Sequence, residues 1–454
     1  MKPYPDYKPT GLAWLPEIPK HWKSAKLRNL LSIVSRKNHP EQPLLSVVRE
    51  KGVIRRDVES KEENHNYIPE DLSNYKLVRK GQFAMNKMKA WQGSYGISQY
   101  DGIVSPAYFV FDLHGVSADF FNTAIRSKAY IPYFAQASDG IRVGQWDLSL
   151  PRMHEIPFFI PPADEQAQIV RYLDAMTAKI NKLIRAQKRQ IALLQEQKQA
   201  IINQAVTRGL DPDVELKDSG IDWLGPIPKH WIIKKFSKIA NIKSNLVKPE
   251  DYYDYPQVSP DKIEKNTGKL LPVLSVRDAG IISNNHLFFE GQILYSKIRP
   301  FLNKVTIAPF DGLCSADMYP IETILETDYL KFFMLSIWFL YQVKQSGDRV
   351  KMPKINQDEM AKILVIVPPR NEQKNIVHSI YDRWSMIDGI LESHEKSVLS
   401  LLEYKSSLIA AVVTGKVDVR NIAVEAVVPE DLAPSDDPDE SEEQDSTIPE
   451  ESEE

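Results

Sequence analysis

The sequence predicts an α+β protein with two tandem mixed α/β domains, separated by two long helices that form an antiparallel coiled coil, with pseudo-two-fold symmetry and a disordered acidic C-terminal tail. Three observations lead to this prediction: the sequence is internally repeated, each repeat ends in a long segment with heptad spacing, and the last thirty residues contain acidic but no basic side chains. We expect the domains at 1–163 and 210–370, the helices at 164–209 and 371–416, and the tail at 417–454.

Short motifs occur twice along the chain, in the same order. IPKHW occurs at Ile18–Trp22 and again at Ile227–Trp231, and IPFFIPPADEQAQIV (156–170) corresponds to ILVIVPPRNEQKNIV (363–377). Between them, GQFAMNKMK corresponds to GQILYSKIR and DGIVSPA corresponds to DGLCSAD. The offset stays between 207 and 210 residues, which is too long for a solenoid repeat. The chain is therefore predicted to be a duplication of one domain-sized unit.

The first part of each repeat contains short β-like runs, such as Phe109–Phe111 and Ile363–Val367, between turn-forming Gly, Pro and Asn residues. This pattern predicts a mixed α/β globule. IPKHW lies at the entrance to each globule, where Pro favours an extended turn and Trp can anchor the segment in a core. His21 and His230 have no Cys or second His nearby, so we predict no metal site, and we also predict no catalytic or cofactor-binding residue.

The second part of each repeat is predicted to be a helix of about 40 residues, because it follows a Pro pair and contains no further Pro. Asp164 and Asn371 are the predicted N-caps, and Gly209 and Gly415 are the predicted stop signals. Heptad spacing predicts that the two helices pair with each other, and not each with its own globule. The predicted pairing residues are Ile169, Leu173, Met176, Ile180, Leu183, Ile191, Leu194, Ile201, Ile376, Ile380, Ile387, Ile390, Val398, Leu401, Leu408 and Val412.

A pair of helices this long would hold the two globules apart like a caliper. A helix of about 40 residues is about 60 Å long, which corresponds to one to two turns of B-DNA at about 34–36 Å per turn. The duplication thus predicts a reader of two DNA half-sites within one chain. Because the globules are not identical in sequence, the two half-sites need not be identical.

Charge is distributed unevenly along the chain. The net charge is −4, but the segment from Glu425 onward contributes −14, so residues 1–424 carry +10. A basic body favours a polyanion partner, with ordinary surface lysines as the alternative, and the acidic tail is expected to be disordered. The single cysteine, Cys314, excludes a disulfide framework and fits a reducing compartment. The apolar run near Tyr329–Val343 is too short to span a bilayer, so we expect a cytoplasmic protein.

These motifs together resemble the specificity subunit of type I restriction–modification enzymes. The resemblance is carried by the PPADEQ and PPRNEQ helix starts, the paired GLAWLPEIPKHW and GIDWLGPIPKHW openings, the GQFAMNKMK and GQILYSKIR segments, and the VTRG and VTGK ends. NKMKAWQGSYGISQYDGIVSPAYFVF looks like the first target-recognition domain of that family, and SDGIRVGQWDLS looks like the end of that domain. The resemblance covers nearly all of residues 10–416, and the acidic tail is not part of the usual pattern.

The resemblance implies a function and a set of partners. Each target-recognition domain would bind a few base pairs of double-stranded DNA, and the subunit would have no catalysis of its own. The long helices would set the spacing between the half-sites and dock two adenine-N6 methyltransferase subunits, which bind S-adenosylmethionine. Separate restriction and motor subunits, which use ATP and Mg, would join for cleavage.

Polar and cationic side chains that could contact DNA cluster at corresponding places in the two repeats. Asn and Gln can pair with adenine, and Lys or Arg can bind guanine or phosphate. For each of them the alternative is a solvated loop residue. The candidates are Asn86, Lys87, Lys89, Gln92, Ser94, Arg142 and Gln145 in the first repeat, and Ser296, Lys297, Arg299, Asn303, Lys304, Arg349, Lys351 and Lys354 in the second.

Two other functions remain open from the sequence. The chain could be a DNA-modifying enzyme with its own active site, but it contains neither an NPPY-like nor a DPPY-like tetrapeptide, and no Gly-rich cofactor or phosphate loop. It could also be a scaffold that joins other proteins through its coiled coil. The basic body and the paired globules count against the scaffold.

Overall fold

The computed structural model describes residues 2–49, 51–56, 68–69, 71–142, 145–346, 353–425 and 427. The chain forms two compact units: unit 1 comprises residues 1–188 and 395–454, and unit 2 comprises residues 189–394. Each unit therefore contains part of both long helices. Most of the predicted acidic tail lies outside the described residues, and the predicted domain bounds stay a prediction.

Both long helices form where heptad spacing predicts them. Each begins directly after its Pro pair, and the mixed α/β class is confirmed. No helix in the described part of the chain is long and apolar enough to cross a membrane. The α-helices are α1 Ala118–Ile125, α2 Ile131–Gln136, α3 Leu150–His154, α4 Ala163–Arg208, α5 Thr327–Leu335, α6 Ile337–Ser346, α7 Gln357–Lys362 and α8 Arg370–Val413.

The strands are short in both units, as the frequent Gly, Pro and Asn residues predict. Those of unit 1 are Tyr7–Leu12, Leu15–Pro19, Lys23–Lys26, Leu31–Val34, Leu45–Val48, Gly52–Arg55, Lys76–Val78, Phe83–Asn86, Tyr95–Ile97, Gly102–Val104, Tyr108–Leu113, Ser138–Arg142, Gln145–Leu148 and Pro157–Ile160. Those of unit 2 are Leu216–Lys217, Ile227–Pro228, Ile232–Lys235, Ala240–Ile242, Leu246–Val247, Pro256–Val258, Leu274–Ser275, Asn285–Phe288, Ile293–Ser296, Val305–Ile307, Gly312–Cys314, Met318–Thr323 and Leu364–Val367.

A four-stranded antiparallel sheet lies in each unit, with the same strand order. In unit 1 the order is Leu31–Val34, Tyr108–Leu113, Phe83–Asn86 and Tyr95–Ile97. In unit 2 the order is Ala240–Ile242, Met318–Thr323, Ile293–Ser296 and Val305–Ile307. The strand that follows IPKHW pairs in both units with the strand that precedes a long helix. The repeat in the sequence is therefore a repeat of the fold.

The strand pairing that follows IPKHW in unit 1 brings this motif to the first turn of α4. Trp22 Nε1 donates to Glu165 Oε1 at 2.8 Å, Tyr4 Oη donates to the same oxygen at 2.6 Å, and His21 Nε2 lies 2.7 Å from Glu165 Oε2. The Glu165 side chain is 3% exposed. Burial and the bond to Glu165 raise the pKa of Tyr4 well above its ordinary value, so Tyr4 stays a donor.

Unit 2 repeats this contact at the start of α8. Trp231 Nε1 donates to Glu372 Oε2 at 2.8 Å, and His230 Nε2 lies 2.7 Å from Glu372 Oε1. The Glu372 side chain is 39% exposed, in contrast to its buried counterpart Glu165. We call each set the carboxylate clamp: the Trp and His of IPKHW on the Glu of the PPxxEQ motif. The clamp gives both motifs one structural reason to occur together.

The helix starts differ by one residue from the sequence prediction. Gln166 N donates to Pro162 O at 2.9 Å, and Gln373 N donates to Pro369 O at 3.0 Å. The prolines therefore accept the first helical hydrogen bonds, and Asp164 lies inside the first turn instead of at the N-cap. Asn371 is inside the first turn of α8 for the same reason.

Glycine ends both long helices, as predicted. Gly209 and Gly415 have φ values of 76° and 74°, the left-handed conformation that glycine adopts without a steric penalty. A Cβ atom at Gly209 would lie 3.2 Å from the Trp231 ring, and one at Gly415 would overlap the ring of Pro19. The end of one long helix and the start of the other therefore meet at the same IPKHW segment in each unit.

Within unit 1 the two long helices contact each other in antiparallel directions. Lys405 Nζ donates to Asn181 Oδ1 at 2.9 Å. Earlier in α4, Gln168 Nε2 donates at 3.1 Å to the carbonyl of Val419, which follows the end of α8. The contact partner of the earlier residue in α4, Gln168, therefore comes later in the chain than the partner of Asn181. The two helices run antiparallel.

Unit 2 contains the complementary halves of the same helices. Lys198 Nζ lies 2.6 Å from Asp388 Oδ1 and 4.1 Å from the centroid of the Trp384 ring, and Trp384 Nε1 donates to the Lys198 carbonyl at 3.3 Å. Ile202 and Ile376 belong to one apolar cluster with globule residues of unit 2. The helix ends in unit 2 therefore pack on each other and on their globule together.

Most of the predicted pairing residues on α4 and α8 are buried or half-buried. Leu183 and Ile390 are exceptions, at 52% and 48% exposed. Ile184 is 1% exposed in place of Leu183, because a 3.6-residue period carries the apolar face on from Ile180 by four residues and not by three. Buried positions are Ile169, Leu173, Ile180, Ile376, Ile380, Ile387, Val398, Leu408 and Val412, and half-buried positions are Met176, Ile191, Leu194, Ile201 and Leu401.

The two clamps differ in burial, and this difference predicts unequal stability losses. We expect Glu165→Ala to lower the free energy of unfolding of unit 1 by about 3–4 kcal/mol, because three donors lose a buried charged acceptor. Glu372→Ala should cost unit 2 about 1–2 kcal/mol, because water can replace part of the lost contact. Hydrogen–deuterium exchange of peptides spanning residues 15–26 and 224–235 measures each loss separately. Equal losses, or no loss in Glu165→Ala, would contradict this interpretation of the clamp.

Candidate nucleic-acid interface

The first candidate segment follows the strand Phe83–Asn86 in unit 1. Asn86 is 8% exposed; its Nδ2 donates to Tyr108 Oη at 3.2 Å, and its Oδ1 accepts from Met88 N at 3.1 Å. Ser94 is 2% exposed, and its carbonyl accepts from Asn86 N at 3.0 Å. Both were predicted DNA contacts, but the structure places them inside the segment, where they hold its turn. The reason is that the chain reverses at Gly93 and pairs back on itself.

Lys87, the next candidate, forms an ion pair with the strand Gln145–Leu148. Its Nζ lies 2.7 Å from Asp147 Oδ2, and the two side chains are 34% and 56% exposed. Leu148 N donates to the Lys87 carbonyl at 3.1 Å, so the strand Gln145–Leu148 is fixed beside Lys87 by its backbone. The ion pair is accessible to solvent and therefore to a macromolecular ligand.

An aromatic pair lies next to this ion pair. The ring centroids of Trp91 and Trp146 are 5.1 Å apart, and both residues are half-buried. Trp91 therefore packs against another ring. The candidates Lys89 and Gln92 are half-buried beside it, around the 3₁₀ turn Ala90–Gln92.

Arg142 and Gln145, the remaining candidates in unit 1, are cross-strand partners. The strands Ser138–Arg142 and Gln145–Leu148 form a hairpin in which Arg142 lies opposite Gln145. Their side chains lie outside the described part of the structure. Gln145 lies in the same strand as Asp147, and the hairpin places Arg142 on the neighbouring strand.

The second candidate segment follows the strand Ile293–Ser296 in unit 2. Ser296 is 2% exposed, and its Oγ donates to the Ile298 carbonyl at 3.0 Å, so this candidate is also inside the fold. Arg299 is exposed and has a φ of 43°, a left-handed conformation that is unusual for a side chain other than glycine. Its N–H donates to the Pro353 carbonyl at 3.0 Å.

The far end of this segment is more enclosed. Asn303 is 1% exposed, with a φ of 46°, so it is not available on the surface as the sequence predicts. Lys304 Nζ donates to the Pro260 carbonyl at 2.8 Å and is half-buried. Arg349 and Lys351 lie outside the described residues.

Two lysines of unit 2 share one carboxylate. Asp317 Oδ1 lies 3.2 Å from Lys354 Nζ and 4.0 Å from Lys297 Nζ. Lys297 Nζ also lies 5.5 Å from the centroid of the Tyr319 ring. Ile355 N donates to the Lys297 carbonyl at 3.0 Å, the same backbone contact that Leu148 makes with Lys87 in unit 1.

Burial and the charge of Lys297 both favour the neutral form of His286. His286 is 5% exposed, and its burial, together with the charge of Lys297, lowers its pKa below the ordinary value. It therefore adds no positive charge to this part of unit 2 near neutral pH.

The structure brings together residues that motif analysis separates. Asp147 and Asp317 were not candidates, although each contacts a predicted lysine. Asp147 lies in the SDGIRVGQWDLS run that was taken only as the end of a domain, and aligning this run with the second repeat would have placed it opposite Lys354. The contacts of Glu165 and Glu372 with IPKHW depend on strand pairing that the sequence does not show.

In both units, then, a lysine lies on a solvent-accessible loop and is fixed by a backbone bond to a neighbouring segment. Lysine ammonium groups can bind phosphate oxygens, and exposed amide, guanidinium and carboxylate groups can pair with base edges. The arrangement suits binding of a polyanion with sequence discrimination.

Comparison with known proteins gives matches to type I restriction–modification proteins. Residues 228–388 match the family described as the type I restriction modification DNA specificity domain. The type I restriction enzyme EcoDI specificity subunit of Escherichia coli is 32% identical over 278 residues, covering 58% of this chain and 62% of the relative. The putative type I restriction enzyme MjaX specificity subunit of Methanocaldococcus jannaschii is 22% identical over 309 residues, covering 65% of this chain and 66% of the relative.

A solved structure shows the same fold. It is described as the structural basis underlying complex assembly and conformational transition of the type I R-M system, and it covers 88% of this chain and 99% of its own chain, with a TM-score of 0.60 and 12% identity. The chain matches less than two thirds of the length of the two relatives named above, 62% and 66%. Residues 228–388 thus match the type I restriction modification DNA specificity domain family, and over the matched regions the chain is similar to the specificity subunits of type I restriction enzymes.

Proposed function

We propose that this chain is the DNA-specificity subunit of a type I restriction–modification complex. In this function it recognises a two-part, asymmetric site in double-stranded DNA and directs adenine-N6 methylation and restriction by partner subunits. The chain itself is a non-catalytic subunit.

One observation carries this proposal: the unit that contains the DNA specificity domain match has a counterpart with the same sheet order, the same carboxylate clamp and the same backbone-fixed lysine loop. A duplicated binding unit suits a site made of two halves. Because the loops differ in sequence while the framework is shared, each unit can recognise a different half.

The lysine loops supply the chemistry that DNA binding needs. Lys297 and Lys354 can neutralise phosphates and fix the position of unit 2 on the duplex, and Arg299 extends from the same loop. Side chains that reach the groove edges then discriminate between bases. In unit 1 the loop that carries Lys87 has the same position in the fold.

We further propose the partners and cofactors of the complex. Two adenine methyltransferase subunits bind the long helices and carry S-adenosylmethionine, and restriction subunits carry ATP and Mg. The complex acts in the cytoplasm without a membrane partner. The apolar residues that remain exposed on the helices, such as Leu399 at 66% and Met386 at 74%, support a docking role for α8.

Methylation in cells tests the proposed function directly. In cells carrying this chain and a methyltransferase partner, methylated adenines should fall in one motif with two specified parts and a fixed gap, because each of the two linked units would contact its own part of the site. Single-molecule sequencing of their DNA maps these adenines, and cells lacking only this chain are the control. Methylation without a sequence motif, or a motif with a single uninterrupted part, would contradict the proposal.

Arg299 provides a test at one residue of the second loop. We expect Arg299→Asn, which tolerates the left-handed backbone, to weaken DNA binding and to reduce the slope of log K against log salt by about 0.9, one phosphate contact. Lys297→Ala should have the same effect. Titration of the purified complex with its target over a range of salt concentrations measures both.

The matched control for these variants is Lys229→Ala. Lys229 is an exposed lysine that pairs with Glu215 and lies outside the second loop. Its salt slope should equal that of the unmodified complex. If Arg299→Asn and Lys297→Ala also leave the slope unchanged, the second loop does not contact DNA.

A further inference from the structure

Two equivalent positions in the units carry opposite charges. The residue after Asp147, Leu148, donates its N–H to the Lys87 carbonyl at 3.1 Å, and the residue after Lys354, Ile355, donates to the Lys297 carbonyl at 3.0 Å. In each case the next residue precedes a short helix, α3 or α7. Asp147 and Lys354 therefore occupy the same place in the duplicated fold.

This exchange changes the local charge. In unit 1, Lys87 and Asp147 form a pair 2.7 Å apart with no net charge. In unit 2, Lys297 and Lys354 share the single carboxylate of Asp317, which leaves a net charge of one positive unit. The first repeat has Ala107 at the position of Asp317, so Asp147 is the carboxylate that pairs with Lys87 in unit 1, and the equivalent of Asp317 is missing there.

A carboxylate on a DNA-binding loop is unfavourable next to phosphate, because the two negative charges repel. It lowers the affinity for every sequence except one in which it accepts a hydrogen bond. In the major groove the base donors are the exocyclic amino groups of cytosine N4 and adenine N6. Asp147 is 56% exposed while Lys87 lies 2.7 Å from one of its oxygens, so the carboxylate has one ionic partner and stays accessible to a ligand.

We propose that Asp147 is a specificity-determining residue that accepts a hydrogen bond from a cytosine or adenine amino group in the half-site bound by unit 1, while Lys354 at the equivalent position contacts phosphate in the other half-site. This inference rests on the proposed DNA-recognition function. Lys87 is the positioning residue for the carboxylate, and the tilted, packed rings of Trp91 and Trp146, with centroids 5.1 Å apart, fix the strand that carries it.

Reciprocal charge exchange tests the proposal in the complete complex with its methyltransferase subunits. In Asp147→Lys, the affinity ratio between the preferred base pair and the others at one position of one half-site should fall about tenfold. The slope of log K against log salt should steepen by about 1–2, because Lys87 is released and a cation is added. Lys354→Asp should weaken binding to all sequences by a similar factor and flatten the slope by about 1–2, without a change in base preference.

Two further variants separate the carboxylate from the ion pair. Asp147→Asn keeps the shape but not the charge, so it should alter the preference at the same base pair. The double exchange Lys87→Asp with Asp147→Lys keeps an ion pair and moves the carboxylate, so it should also lose the preference. Binding to a set of targets substituted at each base pair gives the preference, and thermal unfolding checks that the variants are folded.

The outcomes distinguish this inference from the proposed function. If the unmodified complex binds its two-part site and the Asp147 variants keep the same base preference, or change both halves equally, the assignment of Asp147 is overturned. If the unmodified complex binds DNA without any sequence preference, the proposed function fails and this inference fails with it. A change confined to one base pair of one half-site supports both.

Discussion

A carboxylate at the first turn of each long helix binds the indole and imidazole of IPKHW, and the rest of each unit depends on this contact. Glu165 is almost fully enclosed and accepts hydrogen bonds from Trp22 and Tyr4. A buried carboxylate is stable only when its oxygens are satisfied, so the segment that carries Trp22, just before the strand Lys23–Lys26, and the start of α4 must be placed together. Gly415, at the end of the other long helix, packs on the same segment. One polar contact thus fixes where both helices join the globule.

The duplicated framework leaves the loops free to differ. Backbone hydrogen bonds place Lys87 and Lys297 in the same way, while the side chains around them reverse in charge. Backbone geometry does not depend on which polar side chain occupies an exposed position, so a substitution such as Asp147 against Lys354 changes the surface and not the fold. This separation of framework and surface suits a protein that recognises two unlike half-sites.

Particular residues show how far sequence reasoning reaches. The Pro pairs, the heptad spacing and Gly209 and Gly415 predicted the bounds of both long helices to within three residues, because these signals act locally. Both N-caps were wrong by two residues, since Pro162 and Pro369 accept the first helical hydrogen bonds. The helix seam was wrong at Leu183, where the 3.6-residue period of the helix selects Ile184.

The candidate site was less predictable than the fold. Lys87 and Lys297 were found from the repeat alone and lie on corresponding loops, but whether they contact DNA stays a prediction. Asn86, Ser94, Ser296 and Asn303 are polar residues beside a turn, a pattern that does not distinguish a side chain that faces a ligand from one that faces the turn itself. Asp147 was missed because its partner, Lys87, lies sixty residues earlier in the chain.

The sequence by itself determined the duplication, the mixed α/β class, the two long helices and the basic body, because repeated motifs, periodic apolar residues and net charge are properties of the chain order. Only the tertiary structure decided which carboxylate meets which partner: Glu165 with Trp22, Glu372 with Trp231, Asp147 with Lys87, and Asp317 with Lys297 and Lys354. These pairs are distant in sequence, and strand pairing in three dimensions brings them within hydrogen-bonding or ion-pairing distance.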